Sequence, residues 1–141
     1  MLTLGRFTLL VPDYDDALAF YRDVLGFDVL HDSIGENGQR FLHVGRAGQG
    51  GPPGPGLWLL KPGSDVDRAL VGRQAGRQPL IVLYTADCAA ASSALEMRGV
   101  SIRRSPGQQG GGAAFVHFED PFGNGIVLVE LARVTGYSGA S

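Results

Sequence analysis

One succession of elements is written twice along this chain, and that duplication limits the possible folds more than any single motif does. In the first half, Phe7–Val11 is apolar and β-prone and stops at Pro12. Asp13 then reads as a helix N-cap, with Asp15 and Asp16 placing negative charge in the first turn, where the helix dipole favours it. Leu18, Tyr21 and Leu25 recur three and four apart, the spacing of an amphipathic helix, and Gly26 suits its C′ position. Phe27–His31 resumes as a strand, Glu36-Asn37-Gly38 marks a hairpin, and Arg40–Val44 and Leu57–Leu60 follow as strands. The second half repeats this order: Leu80–Thr85 as a strand, Asp87 as an N-cap, and Cys88, Ala91, Leu95 and Met97 as one helical stripe ended by Gly99. Strands at Val100–Arg103, Ala113–Phe118 and Ile126–Leu131 complete it, with a turn at Asp120-Pro121-Phe122-Gly123-Asn124. Each half therefore reads β-α-β-β-β. The cap-to-glycine distance is almost the same in the two, Asp13 to Gly26 and Asp87 to Gly99.

These patterns predict an α+β fold of two βαβββ modules. The pseudo-repeats fall at 1–62 and 80–135, with 63–79 as a linker. At 141 residues the whole is expected to form a single domain. A formal net charge of −2 provides no basic field for nucleic acid or for anionic lipid, so neither is expected as a partner. One cysteine, Cys88, excludes an internal disulfide and a zinc site built on several thiolates. The first residues lack the basic and apolar blocks of a signal peptide, and no run reaches the length of a membrane span, which points to the cytoplasm. The glycines of Gly45–Gly56 and Gly107–Gly112 read as loops. The second has neither the Lys nor the Ser/Thr of a phosphate-binding P-loop.

Val11-Pro12-Asp13 followed by Phe20-Tyr21-Arg22-Asp23-Val24-Leu25-Gly26-Phe27 resembles the first-repeat signature of the vicinal oxygen chelate superfamily, and Asp120-Pro121-Phe122-Gly123-Asn124 resembles its closing motif. The superfamily holds glyoxalase I, extradiol dioxygenases and the antibiotic-resistance proteins that bind bleomycin or mitomycin, and the resemblance implies its fold, curved mixed sheets from the two modules around a cavity. Its metal-dependent members place a ligand on the first and last strands of each module. The positions of this chain that align with those ligands are Arg6, Leu80 and Val127, with the fourth near Trp58 or Leu59. None of these side chains presents a lone pair to a metal ion, so the resemblance implies a fold kept and a metal site lost, with no cofactor. It also implies a homodimer, since members commonly pair.

On this reading Arg6 points into the cavity and orients an oxygen of the ligand. His43 and His117 occupy matching strands and supply polar contacts. The aromatics Phe41, Trp58, Tyr84 and Phe115 provide flat apolar walls of the kind found in small-molecule sites. The expected function is a metal-free small-molecule binding protein that sequesters an aromatic, antibiotic-like ligand. The alternative is a metal-independent lyase or isomerase acting on a carbonyl compound, with His43 or His117 as base and Arg6 stabilising an oxyanion. A third reading assembles an unusual metal site from His43, His117 and Glu130. Against it, strand alternation sets Glu130 on the opposite face from Val127.

Overall fold

The computed structural model describes residues 1–48, 54–104 and 114–131. The glycine-rich stretch 107–112, the heart of the 45–56 loop and the chain beyond Leu131 lie outside these residues. The chain groups into two compact units, one ending at Gln74 and the other beginning at Ala75, and this boundary falls inside the stretch read as a linker. No described helix is long and apolar enough to cross a membrane.

The first unit contains β1 (Arg6–Leu10), α1 (Tyr14–Leu18), β2 (Asp28–Ile34), β3 (Arg40–Gly45), β4 (Gly56–Leu60) and α2 (Asp65–Arg68). Asp13 caps α1 by accepting the Asp16 N–H at 2.9 Å. The helix does not run on as a regular α-helix to Leu25. Over Ala19–Val24 it widens into a π-helical turn, in which the Leu25 N–H reaches back five residues to the Phe20 carbonyl at 2.9 Å. The widening lets two adjacent aromatics, Phe20 and Tyr21, both turn into the core, where their rings meet edge to face. Gly26 ends the helix with φ +82°, a backbone region that a Cβ disfavours.

The four strands pair in the order β1-β4-β3-β2, with β1 parallel to β4 and the other pairs antiparallel. Leu9, Leu42, Val44 and Leu59 are fully buried, and register places all four on one face of the sheet. Ala17, Leu18, Phe20 and Tyr21 are the buried residues of the helical segment that covers this core. Where β3 and β4 pair at their ends, Gly45 and Gly56 approach so closely that a Cβ on Gly56 would lie 2.7 Å from the Val44 carbonyl oxygen. The free edge of β1 is covered by one side chain: Gln74 accepts the Leu10 N–H at 2.7 Å and donates to the Thr8 carbonyl at 3.0 Å.

The second unit contains β5 (Pro79–Thr85), α3 (Cys88–Met97), β6 (Phe115–Glu119) and β7 (Gly125–Glu130), paired in the order β5-β7-β6. Its β5–β7 pair is parallel and its β6–β7 pair antiparallel, as for β1, β4 and β3 in the first unit. The strand expected at Val100–Arg103 is reduced to one rung, in which Arg103 and His117 exchange backbone hydrogen bonds of 2.7 and 2.9 Å. That rung flanks β6 as β2 flanks β3, so the repeat survives in position with less of its ladder. Asp87 caps α3 through the Ala90 N–H at 3.0 Å. The buried stripe of α3 is Cys88, Ser92 and Leu95. Met97, expected on that stripe, is 90% exposed, because two residues beyond Leu95 the helix has rotated to its far side. This stripe, with Val116, Phe118, Ile126 and Leu128, makes up the unit's core.

The turn before β7 is built on Asp120 and Asn124, both buried. One Asp120 carboxylate oxygen accepts the N–H groups of Phe122 and Asn124, and the other accepts the Asn124 side-chain amide at 2.7 Å. Asp120→Ala would leave these donors buried without their acceptor. The expected cost is about 2–4 kcal/mol, checked by urea unfolding of the two proteins.

Candidate functional site

Each sheet has one face under helix and one open face, and strand alternation decides which side chains reach the open side. In the first unit, Arg6 pairs with Gly56, Thr8 with Trp58, and Trp58 with His43, so these residues share the face opposite the buried leucines. Phe41 lies two residues from His43 on β3 and shares this face. Arg6, Phe41, His43 and Trp58, the four site residues expected from this half, therefore come together.

Their geometry is specific. The Arg6 Nε–H donates to His43 Nδ1 at 3.2 Å. Arg6 Nη1 donates to the carbonyls of Gly5 at 2.9 Å and Gly54 at 3.3 Å. The Trp58 ring is edge-on to the His43 ring at 5.8 Å and tilted against Phe41 at 6.1 Å. The Trp58 indole Nε1 is shut off from solvent and has no hydrogen-bond partner. Because His43 Nδ1 accepts from a guanidinium, its ring proton sits on Nε2, and the imidazole is a fixed-tautomer donor. Burial first, then the charges of Arg6 and His31, push the His43 pKa below its ordinary value of 6.5.

Sequence reasoning missed His31, whose ring lies 5.2 Å from that of His43 and whose Nε2 meets the Ser33 hydroxyl at 2.8 Å. Regular antiparallel pairing from Val29–Val44 would set His31 opposite Leu42, on the helix-covered face. A bulge between Val29 and His31 adds one residue and brings His31 opposite His43 instead. Strand alternation in the sequence contains no sign of such a bulge.

In the second unit, Tyr84 pairs with Val129, which pairs with Phe115, and His117 pairs with Val127. Tyr84, Phe115 and His117 thus share an open face with Val82, and the rings of Phe115 and His117 meet edge to face at 5.5 Å. Tyr84 is 65% exposed and Val82 53%. A cleft of about 500 Å³ beside this face is lined by Arg77, Arg103, His117 and Glu119, among others. Glu130 is turned the other way: its carboxylate accepts the Cys88 N–H at 2.9 Å and so caps α3. The open face of this unit is largely apolar, whereas that of the first unit carries the hydrogen-bond donors.

A sequence model of the Glyoxalase/Bleomycin resistance protein/Dioxygenase superfamily matches residues 3–128, and the chain belongs to that family. It is 32% identical over 130 residues to an uncharacterized protein of Shewanella frigidimarina (strain NCIMB 400), covering 92% of this chain and 93% of the relative. Among solved structures it resembles TnmS3, an antibiotic binding protein from Streptomyces sp. CB03234, with 28% identity and a TM-score of 0.68 over 92% of this chain and 96% of that one. A superfamily member from Sphaerobacter thermophilus DSM 20745 matches with 29% identity and a TM-score of 0.69, over 93% and 98% of the two chains.

The register also settles which residue of β4 is the counterpart of Val127. His43 pairs with Trp58 as His117 pairs with Val127, so the counterpart is Trp58 and not Leu59. Arg6, Trp58, Leu80 and Val127 do not suit a metal: one is a cation, one an N–H donor, and two are aliphatic. Among the described residues no group of three or more His, Cys, Asp and Glu is placed to hold a metal ion. The His43–His117–Glu130 set fails on geometry within the second unit alone, because Glu130 caps a helix on the face away from His117.

The lowered His43 pKa sets a sign for pH dependence. The folded-state value lies below the unfolded one, so in the interval between them the unfolded chain binds more protons. The contribution to stability is present in full above the ordinary value and is lost as pH falls from there through the folded-state value. Thermal unfolding of the wild type is therefore expected to weaken more steeply than that of His43→Gln between about pH 7 and about pH 5.

Proposed function

We propose that this protein is a metal-free binder of a small aromatic, antibiotic-like molecule, sequestering it rather than transforming it. The observation that carries the reading is the open face of the first unit. There Arg6 and His43 supply hydrogen-bond donors next to the flat rings of Trp58 and Phe41. Tyr84, Phe115 and His117 contribute a second, mainly apolar contact surface from their own unit. The likeness to an antibiotic binding protein over most of both chains supports the ligand class. Apolar walls with few directed polar groups are the usual make-up of small-molecule sites.

The lyase or isomerase alternative takes its base from His117 or His43, and the contacts speak only against His43. In this structure its Nδ1 lone pair is engaged by Arg6 and its Nε2 carries the proton, which suits hydrogen-bond donation and not proton abstraction. On the same reading the protein works in the cytoplasm as a homodimer. Support for pairing comes from Phe7, an apolar side chain 53% exposed on the edge strand β1. Sedimentation at micromolar concentration decides that point.

Trp58 is the only tryptophan of the chain, so its fluorescence reports on the site directly. A panel of aromatic natural products is expected to include compounds that quench it with one-to-one stoichiometry and are recovered unchanged. Phe41→Ala should weaken such binding by about tenfold, the equivalent of one lost ring contact. Added Ni, Fe, Mn or Zn should leave the melting temperature where it is, whereas a bound ligand raises it. One metal ion per purified chain, or turnover of the ligand, would reverse the proposal.

A further inference from the structure

A half-buried guanidinium normally has an anionic partner, and Arg6 has none among the described residues. Among the described residues, ion pairs join Arg22 to Asp23, Arg40 to Asp32, Arg68 to Asp65, Arg103 to Glu119 and Arg104 to Glu96, and Arg6 belongs to none of them. The stretches outside the described residues, 49–53, 105–113 and 132–141, contain no Asp or Glu. Arg6 instead donates to three neutral acceptors, His43 Nδ1 and the carbonyls of Gly5 and Gly54, which leave its charge uncompensated. Its Nη2 has no partner among the described residues. The groups around it repeat the same deficit. His43 presents an N–H at Nε2, and the Trp58 N–H lies buried without an acceptor. The Arg6 charge and the His43 N–H thus lie together on the open face, beside the rings of Trp58 and Phe41.

We infer that Arg6 and His43 form the anchor for an ionised oxygen, a carboxylate or phenolate, on the aromatic molecule whose ring lies against Trp58 and Phe41. This rests on the ligand-binding reading above and adds the charge of the ligand and the end by which it is held. A guanidinium donates to such an oxygen through paired N–H groups, in hydrogen bonds stronger than those to a neutral carbonyl. A cationic ligand is excluded by the same charge, which makes the anchor a selectivity device as well as a contact.

The test compares 4-nitrobenzoate with its neutral amide, 4-nitrobenzamide, by quenching of Trp58 in the full chain. The pair share ring and nitro group and differ in the charge of one substituent. The benzoate is expected to bind about tenfold tighter, with a preference that shrinks as salt is added. Arg6→Met should abolish the preference and Arg6→Lys should keep part of it, so a lost preference in the first variant is not mistaken for a lost fold. Equal binding of the two probes to the wild type overturns the anchor while leaving the ligand-binding reading in place. A preference that persists in Arg6→Met overturns it too, since the anion would then be held elsewhere. If neither probe quenches Trp58, the anchor falls, and the ligand-binding reading is decided separately by the panel of larger aromatic compounds.

Discussion

Parallel pairing of the first strand with the last, β1 with β4 and β5 with β7, is the constraint on which each unit depends. A parallel pair needs a crossover between its members, and here the crossover carries a helix and the intervening strands. The helix can bury its apolar side only against one face of the sheet, where Leu9, Leu42, Val44 and Leu59 wait in the first unit and Val116, Phe118, Ile126 and Leu128 in the second. The opposite face is left open as a direct result. Side chains of the first and last strands become neighbours there, although they are distant in sequence, and Arg6, His43 and Trp58 meet on that face.

The two open faces differ in a way that follows from a few residues. The resemblance aligns Arg6 and Trp58 in the first unit, and Leu80 and Val127 in the second, with metal-ligand pairs of other members. Of these two pairs, only the first carries N–H groups and a charge. The Arg6–His43 bond then makes the histidine a donor as well, because a lone pair that faces a guanidinium cannot hold a proton at low cost. Burial and the neighbouring charge both lower the His43 pKa, so the neutral, donating tautomer is the stable one.

Two carboxylates of the second unit, those of Asp120 and Glu130, hold the backbone in place. Asp120 binds two N–H groups and a side-chain amide in the turn before β7, and Glu130 binds the first N–H of α3 from the strand beneath it. Glu130 therefore couples the last strand to the start of the helix, two elements that must pack together for the unit's core to close. A carboxylate on a last strand reads, from sequence, as a ligand in waiting. Its face and its partner decide otherwise.

The sequence by itself determined the duplicated β-α-β-β-β order, the caps at Asp13 and Asp87, the helix end at Gly26 and the Asp120–Asn124 turn. These features depend on residues near one another. Strand alternation made Arg6, Phe41, His43 and Trp58 candidates for one face, and the register between strands, which the sequence left open, brought them together. Only the tertiary structure decided the rest. The bulge that brings His31 opposite His43 comes from strand pairing, which inserts a residue wherever the ladder is best satisfied. The π-helical turn at Ala19–Val24 arises because two adjacent aromatics both gain by burial, a demand set by the sheet beneath them. The Arg6 Nε–His43 Nδ1 bond joins residues far apart along the chain, and with it come the tautomer and the uncompensated charge. Such properties belong to contacts between strands, and periodicity along one strand carries no information about the atoms that lie across from it.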